Sequence, residues 1–347
     1  MGSRRIKIFV WQGNETGGAE QVMRDIAAEL NRHPECEVTV GMFADGVKHQ
    51  RQAQIRIRRI LPKKYVALNT FWACWKLRRA LPDYDLVYVH TAAGWHRHAQ
   101  RVAYHEPGDL DLLLRSLRPV SRILYWFQYR AALRELKNCH YAIAASNRAS
   151  RFMDRHHIKP LLCSRNGTST DLPFRAPKKQ PPHLRVGFVG RDDRIKNFAT
   201  VLEVFEHKKR QDVLYVYGFS GESTKNITYK GWVSPAELHN DMAERLDVLV
   251  VASHFEAFPL VIIEALAIGL PVIASRNALP HELKDECVCF DGTADGLAQA
   301  LQRMRKEYVY WSARTIAQAN DIRRHYNKNI VYQREVGRVL QAMRAGK

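Results

Sequence analysis

The chain has 347 residues, 46% of them hydrophobic, and a formal net charge of +19. That length suits two domains of about 150 residues each rather than one core. No run approaches the ~20 apolar residues of a membrane span and no secretory leader opens the sequence, so a cytoplasmic protein is expected.

The positive excess calls for an anionic partner or surface. Residues 48–80 carry ten Lys or Arg and no Asp or Glu, with Phe71, Trp72 and Trp75 among them. Such a segment suits the interface of an anionic membrane, at about 1 kcal/mol per basic residue near the surface. It equally suits a solvated basic face whose tryptophans pack inward. No zinc spacing, RNP pattern or recognition-helix signature accompanies the charge, so nucleic acid is not the expected partner. The six cysteines lie scattered, with only Cys287 and Cys289 close together. Reduced, mostly core thiols are expected, because zinc sites use paired spacings.

Residues 6–10 read as a strand, followed by Gly17-Gly18 and a helix from Ala19 with Val22, Ile26 and Leu30 on one face. Glycines ahead of a helix N-terminus let phosphate approach free N–H groups, although a tight turn explains the pair as well. Neither the GxGxxG fingerprint nor the Walker lysine is present, which argues against a nicotinamide enzyme and a P-loop ATPase. Further strands are expected at residues 38–43, 86–90, 123–127, 141–145 and 161–164, with helices between them: a doubly wound α/β domain. His90 ends one of these strands, where catalytic groups sit in such sheets and packing residues also sit. Asp83/Asp85 and Asp109/Asp111 match a metal-dependent sugar-transfer pattern. A turn accounts for the first pair and a helix cap for the second.

Residues 171–184, with Pro173, Pro177, Pro181 and Pro182, form a linker that no regular element can cross. The pattern then restarts with a strand at 185–189, a loop at 190–196 and a helix from Asn197. Gly190, Arg191 and Lys196 in that loop make either a diphosphate clamp or a basic turn. A strand at 213–217 and a capping box from Ser234 to Glu237 follow.

Residues 253–275 concentrate the chemistry. A strand at 247–252 leads into a loop with Glu256, then a helix over 260–268 and a strand at 272–274. Pro259 is expected in the first helical turn, and Gly269 closes the helix in the left-handed conformation. The helix is apolar all round except for Glu264, which needs a partner, a cleft or a ligand. The loop bearing Glu256 lies at the carboxyl end of a strand, where open α/β sheets bind ligands. Glu282, in Pro280-His281-Glu282, lies beyond the next strand at the same edge. From Tyr308 the chain is helical and basic, with Trp311, Ile322, Tyr326, Ile330, Val336 and Leu340 as core candidates.

These stretches together resemble the retaining GT-B glycosyltransferases of family 4. The resemblance rests on GGAE at residues 17–20, Asn166-Gly167, the VGR and KN of residues 189–197, Glu256 and Glu264 with seven residues between them, and Pro280-x-Glu282. It implies two Rossmann-like domains facing across a cleft: residues 1–171 for the acceptor and 185–320 for the nucleotide-sugar, a linker at 172–184, and a final helix in 321–347 crossing back to the first domain. It implies a nucleotide-sugar donor, a UDP- or GDP-sugar ahead of a CMP-sugar, with no cofactor or metal. Carried over by position, Glu264 holds the ribose hydroxyls and Glu256 faces the donor sugar. Arg191 and Lys196 neutralise the diphosphate, and Gly17, Gly18, Gly190, Phe258, Pro259, Leu260 and Glu282 surround the donor. A departing nucleoside diphosphate develops charge that fixed cations and N–H groups stabilise.

Two departures stand out. Ala257 follows the first glutamate where the family has glycine, and residues 125–128 (YWFQ) lack the histidine that many members carry at the end of the strand before the IAxS segment. His90 is the substitute candidate. The sequence thus supports a glycosyltransferase acting on a glycan or glycolipid, such as lipopolysaccharide core, peripherally on the inner face of the cytoplasmic membrane. The alternative is a nucleotide-sugar or nucleic-acid binding protein without transferase activity.

Overall fold

A computed structural model describes residues 4–13, 18–44, 53–62, 65–117, 119–169, 171–206 and 211–346. Gly17, and Lys48, Arg51, Lys63 and Lys64 of the basic segment, lie outside the described residues. The chain divides into two compact units, residues 1–167 with 328–347, and residues 168–327.

The first unit contains β1 (Ile6–Gly13), α1 (Gly18–Leu30), β2 (Cys36–Phe43), β3 (Ala53–Ile57), α2 (Val66–Leu77), β4 (Leu86–Val89), β5 (Val102–Glu106), α3 (Leu110–Ser116), α4 (Pro119–Asn138), β6 (Tyr141–Ala144), α5 (Asn147–Arg155) and β7 (Leu162–Cys163). Its sheet is parallel, in the order β3-β2-β1-β4-β5-β6-β7. The second unit contains β8 (Arg185–Val189), α6 (Phe198–Glu206), β9 (Val213–Tyr217), β10 (Ile227–Gly231), α7 (Pro235–Glu244), β11 (Val248–Val251), α8 (Leu260–Ile268), β12 (Val272–Ser275), β13 (Val288–Phe290), α9 (Ala294–Lys306) and α10 (Tyr308–His325). Its strands are also parallel, in the order β10-β9-β8-β11-β12-β13. The chain closes with α11 (Lys328–Arg344), whose Val336, Val339 and Leu340 bury against Val22, Ile26 and Leu30 of α1 in the first unit.

Strand order reverses between β1 and β4 in one sheet and between β8 and β11 in the other. Connections leave in opposite directions at such a point, and the strand ends there open into a crevice.

The 253–275 stretch folds as its residues dictate. The apolar face of α8 is buried, with Ile262, Ile263 and Ile268 at 0% exposure, which contributes about 1.5–3 kcal/mol per large aliphatic side chain. Gly269 ends the helix at φ 94°. Pro259 is the N-cap in extended conformation, not a first-turn residue. The linker lacks regular structure but is tied down by Arg175, 3% exposed, which donates to the Leu246 carbonyl, to Asp247 (3.4 Å) and to the Tyr308 hydroxyl (2.6 Å). Burial pushes the Asp247 carboxyl up, but hydrogen bonds from Arg185 outweigh it and hold the group below its usual range.

The expected strand at 123–127 is instead the middle of α4. Its aromatic and β-branched run reads as a strand locally, but Ile123, Phe127 and Arg130 follow helical spacing on one exposed face. The strand that precedes β6 is β5, VAYHE, whose His105 and Glu106 obscured its apolar character. A histidine therefore does stand near the end of that strand. The strands β3, β10 and β13 add to those expected. Asp109 caps α3 by accepting from the Leu112 N–H, as the helix-cap reading of that pair requires. Among the described residues no helix is long and apolar enough to cross a membrane. All six cysteines are free; Cys36, Cys74 and Cys287 are buried, and Cys163 and Cys289 are exposed.

Candidate active site in the second unit

The loops after β8 and β11 flank the point where the second sheet reverses its order. After β8 the chain passes Gly190, then a 3-10 turn at Arg194–Lys196 whose cap, Asp193, accepts from the Lys196 N–H at 3.0 Å. Asn197 ends the turn at φ 54°, a left-handed value that asparagine tolerates. The Gly190 carbonyl packs so closely on Gly218 that a Cβ there would come within 2.2 Å, and Gly218 itself sits at φ 109°. The His254 N–H donates to the Ile195 carbonyl at 2.7 Å, linking this loop to the one after β11.

That link brings Lys196 and Glu256 together. Lys196 Nζ lies 2.5 Å from Glu256 Oε1, with the two side chains 23% and 13% exposed. Ser253 Oγ donates to the same carboxylate oxygen at 2.6 Å, and the Ser253 carbonyl in turn accepts from Ser275 Oγ at 2.5 Å. Lys196 and Ser253 thus hold the carboxylate at the carboxyl edge of the sheet.

Phe258 and Pro259 are buried and lead into Leu260, the first residue of α8. Pro259 offers no side-chain cap; the Ile262 N–H donates to the Pro259 carbonyl at 3.1 Å, which leaves the Leu260 and Val261 amides and the helix dipole for an anion. One turn further, Glu264 faces His239 of α7, with Oε2 3.7 Å from Nε2. At that distance His239 is a neighbour of Glu264 and not a hydrogen-bond partner, and the Glu264 side chain is 23% exposed. Arg191 is 79% exposed at its side chain and pairs with Asp193 at 3.1 Å. Glu282 stands in a 3-10 turn at His281–Leu283, with Oε1 buried and without a hydrogen-bond partner among the described residues. Lys196, Glu256 and the α8 N-terminus thus cluster at one edge, with Arg191 an exposed arm beside them.

The first unit places a second constellation at its own strand ends. His90 follows β4 with Nδ1 buried and without a partner among the described residues, and burial, reinforced by the nearby His105, lowers its pKa to about 4. His105, 2% exposed, shares a hydrogen bond with Glu335 of α11 at 3.0 Å, and Tyr88 donates to the same glutamate oxygen. Glu106 is buried, which raises its pKa to about 8 although the Gly108 N–H donates to it. His105 and Glu106 escaped the sequence reading because β5 did; the signal was the HE pair ending an apolar run before Pro107. Gly18 opens α1.

Two family models match the chain, Glycosyltransferase Family 4 over residues 16–171 and Glycosyl transferases group 1 over residues 183–307. The chain belongs to the family 4 glycosyltransferases. Among solved structures, sucrose-phosphate synthase from Thermosynechococcus elongatus superposes with a TM-score of 0.79 at 17% identity, covering 99% of this chain and 100% of that one. Anabaena Alr3699/HepE in complex with UDP-glucose gives 0.75 at 17%, covering 97% and 100%. WaaG, a glycosyltransferase involved in lipopolysaccharide biosynthesis, gives 0.74 at 14%, covering 95% and 98%. The shared fold is GT-B, two parallel-sheet α/β domains. Curated sequence relatives align over 10–32% of their own lengths, so the chain spans a third or less of each.

Proposed function

We propose that this glycosyltransferase moves a sugar from a UDP- or GDP-sugar to a glycan or glycolipid acceptor, with retention at the anomeric carbon and without a divalent metal. The observation that carries the reading is the Lys196–Glu256 pair beside the uncapped N-terminus of α8, at the reversal point of the second sheet. A nucleoside diphosphate set there meets the Lys196 ammonium, the Arg191 guanidinium and the first amides of α8. These are fixed charges and dipoles that stabilise the leaving group as its charge develops. Glu264 is exposed enough to accept from both ribose hydroxyls. Glu256, held by Ser253, is left to accept from the donor sugar once Lys196 turns to phosphate. His105 takes the strand-end place of the family's histidine, ahead of His90.

The UDP-sugar preference is supported by HepE, solved with UDP-glucose. A lipopolysaccharide or similar cell-surface acceptor is supported by WaaG, and a position on the inner face of the cytoplasmic membrane by the exposed Phe71 and Trp75 of α2 near the basic segment. Of the two earlier readings of that segment, Trp72 packs inward while Trp75 is 48% exposed, so each tryptophan follows a different one. The test is calorimetric titration with UDP, GDP and CMP followed by assay of sugar release. Binding and release support transfer, binding without release on any acceptor supports a non-enzymatic binding protein, and no binding overturns both.

A further inference from the structure

The first unit contains a cavity of about 830 Å³ that the donor chemistry does not use. Its origin is topological. A parallel β–β crossover ordinarily carries a full helix, but residues 90–101 between β4 and β5 form only a 3-10 turn at Trp95–Arg97. The missing helix leaves a gap between α2 and α4, and the turn forms its floor. That floor is rigid, because the fully buried Glu135 accepts the backbone N–H groups of Ala93 (3.3 Å), Gly94 (2.7 Å), Trp95 (3.1 Å) and His96 (2.8 Å). The His96 ring adds a further hydrogen bond at 2.8 Å.

The walls are cationic. Arg97, Arg130, Arg134 and Lys137 line the cavity together with His98, and no carboxylate does. Among the described residues none of these five has an acidic partner, and Glu135 is occupied by the floor. The walls are also graded. On α4 the helical row Ile123, Phe127, Arg130, Arg134, Lys137 passes from exposed apolar to cationic, and on α2 the row Leu68, Phe71, Trp75, Arg78 does the same. Both helices connect strands of one parallel sheet and so run in the same direction, which gathers the apolar halves at one end and the cations at the other.

We infer that this cavity binds the phosphate headgroup of a lipid, with Arg130, Arg134 and Lys137 on the phosphate and Phe71, Trp75 and Phe127 along the first part of its apolar chain. Guanidinium forks match phosphate oxygens, and the volume is that of a site for a small molecule. Exposed apolar groups beside cations fit an amphiphile better than a free anion. The inference rests on the proposed membrane-side reading and narrows it to one site.

The test uses the full chain and vesicles of phosphatidylcholine with or without phosphatidylglycerol. Arg130→Glu with Arg134→Glu, checked for folding by circular dichroism, is expected to weaken binding to the anionic vesicles at least about tenfold. Arg58→Glu with Arg59→Glu is expected to weaken it less than about threefold. Glycerol phosphate in solution is expected to compete poorly. Should the cavity variant fail to fold, Arg134→Gln and the quenching of wild-type tryptophan fluorescence by brominated lipid, lost in Trp75→Phe, provide the same reading. If binding survives the cavity reversal but falls with Arg58 and Arg59, the cavity inference is overturned and the membrane reading stands. If wild type binds no anionic vesicle, both fall. If glycerol phosphate binds as well as the vesicles do, the lipid source is wrong.

Discussion

Replacing Lys196 with methionine separates catalysis from stability, because the Lys196 ammonium pairs with Glu256 and, in the proposed reaction, with the donor diphosphate. The side chain keeps its apolar stem, so packing beside Gly190, whose Cβ position lies 3.2 Å from Lys196 Cγ, is preserved. Its loss takes the ammonium from Glu256, only 13% exposed at the side chain, while Ser253 Oγ at 2.6 Å still donates to the carboxylate. Removing one partner from a mostly buried pair costs about 3–5 kcal/mol, and the surviving hydroxyl places this case near or below the lower end, about 2–3 kcal/mol. For a unit of this size that is a fall in Tm of roughly 5–10 °C. Adding Glu256→Gln removes the uncompensated charge and is expected to restore most of that stability. Activity follows a different course. A cation lost from a developing diphosphate costs about 10²–10³ in kcat/KM, and the double variant recovers none of it. Thermal melting and initial rates of donor cleavage on the single and double variants measure both. A single variant within about threefold of wild type in kcat/KM would refute the assignment of Lys196 to the leaving group.

Further expectations concern other parts of the molecule. Glu264→Ala should raise the KM or Kd for the donor by about 10–100-fold, the loss of hydrogen bonds to a charged group, while leaving the melting temperature nearly unchanged; titration calorimetry with the nucleotide reads it. Arg175→Met should destabilise the second unit by about 3 kcal/mol in urea unfolding, since it removes a fully buried guanidinium that donates to Asp247, to the Tyr308 hydroxyl and to the Leu246 carbonyl. Glu106 has its pKa raised by burial from 4.5 to about 8, so the folded chain holds a proton that the unfolded chain releases. Its contribution is therefore fully present below about 4.5 and declines as pH rises towards about 8, by up to ~1.4 kcal/mol per pH unit. Glu106→Gln should flatten that decline, as seen in unfolding curves across the window.

What could be read from the sequence follows from how local each signal is. The bounds of α8 were legible because an unbroken apolar run ends at a glycine that takes φ 94°, and Glu264 stood out against it. The Ser234 capping box and the Asp109 cap were legible for the same reason, since each is a contact between residues three apart. The errors arose where composition and context disagree. The ILYWF run has strand-forming residues, yet it lies in a helix because Pro119 starts it and its neighbours carry helical spacing. Residues VAYHE make a central strand although His105 and Glu106 look polar: His105 bonds Glu335, 230 residues away and itself held by Tyr88, and Glu106 accepts from the Gly108 N–H and is buried with a raised pKa. No local pattern reveals such partners. The same holds for the site: Lys196 and Glu256 were identifiable as separate charges, but their 2.5 Å contact depends on the order of β8 and β11 in the sheet. The cavity left by a shortened crossover is an absence, and the sequence marks it only by the short distance between two strands, one of which was missed.

The central claim is that the second unit holds a nucleotide-sugar and that its sugar is released with retention. Proton NMR of the full chain incubated with UDP-glucose, without added metal, tests it most directly by following nucleotide release and the first-formed anomer. The account predicts release of UDP with an α-configured product from the α-linked donor, abolished by Glu264→Ala and Lys196→Met. A β-configured first product would contradict retention, and the absence of release across UDP- and GDP-sugars with candidate glycolipid acceptors would contradict transfer itself.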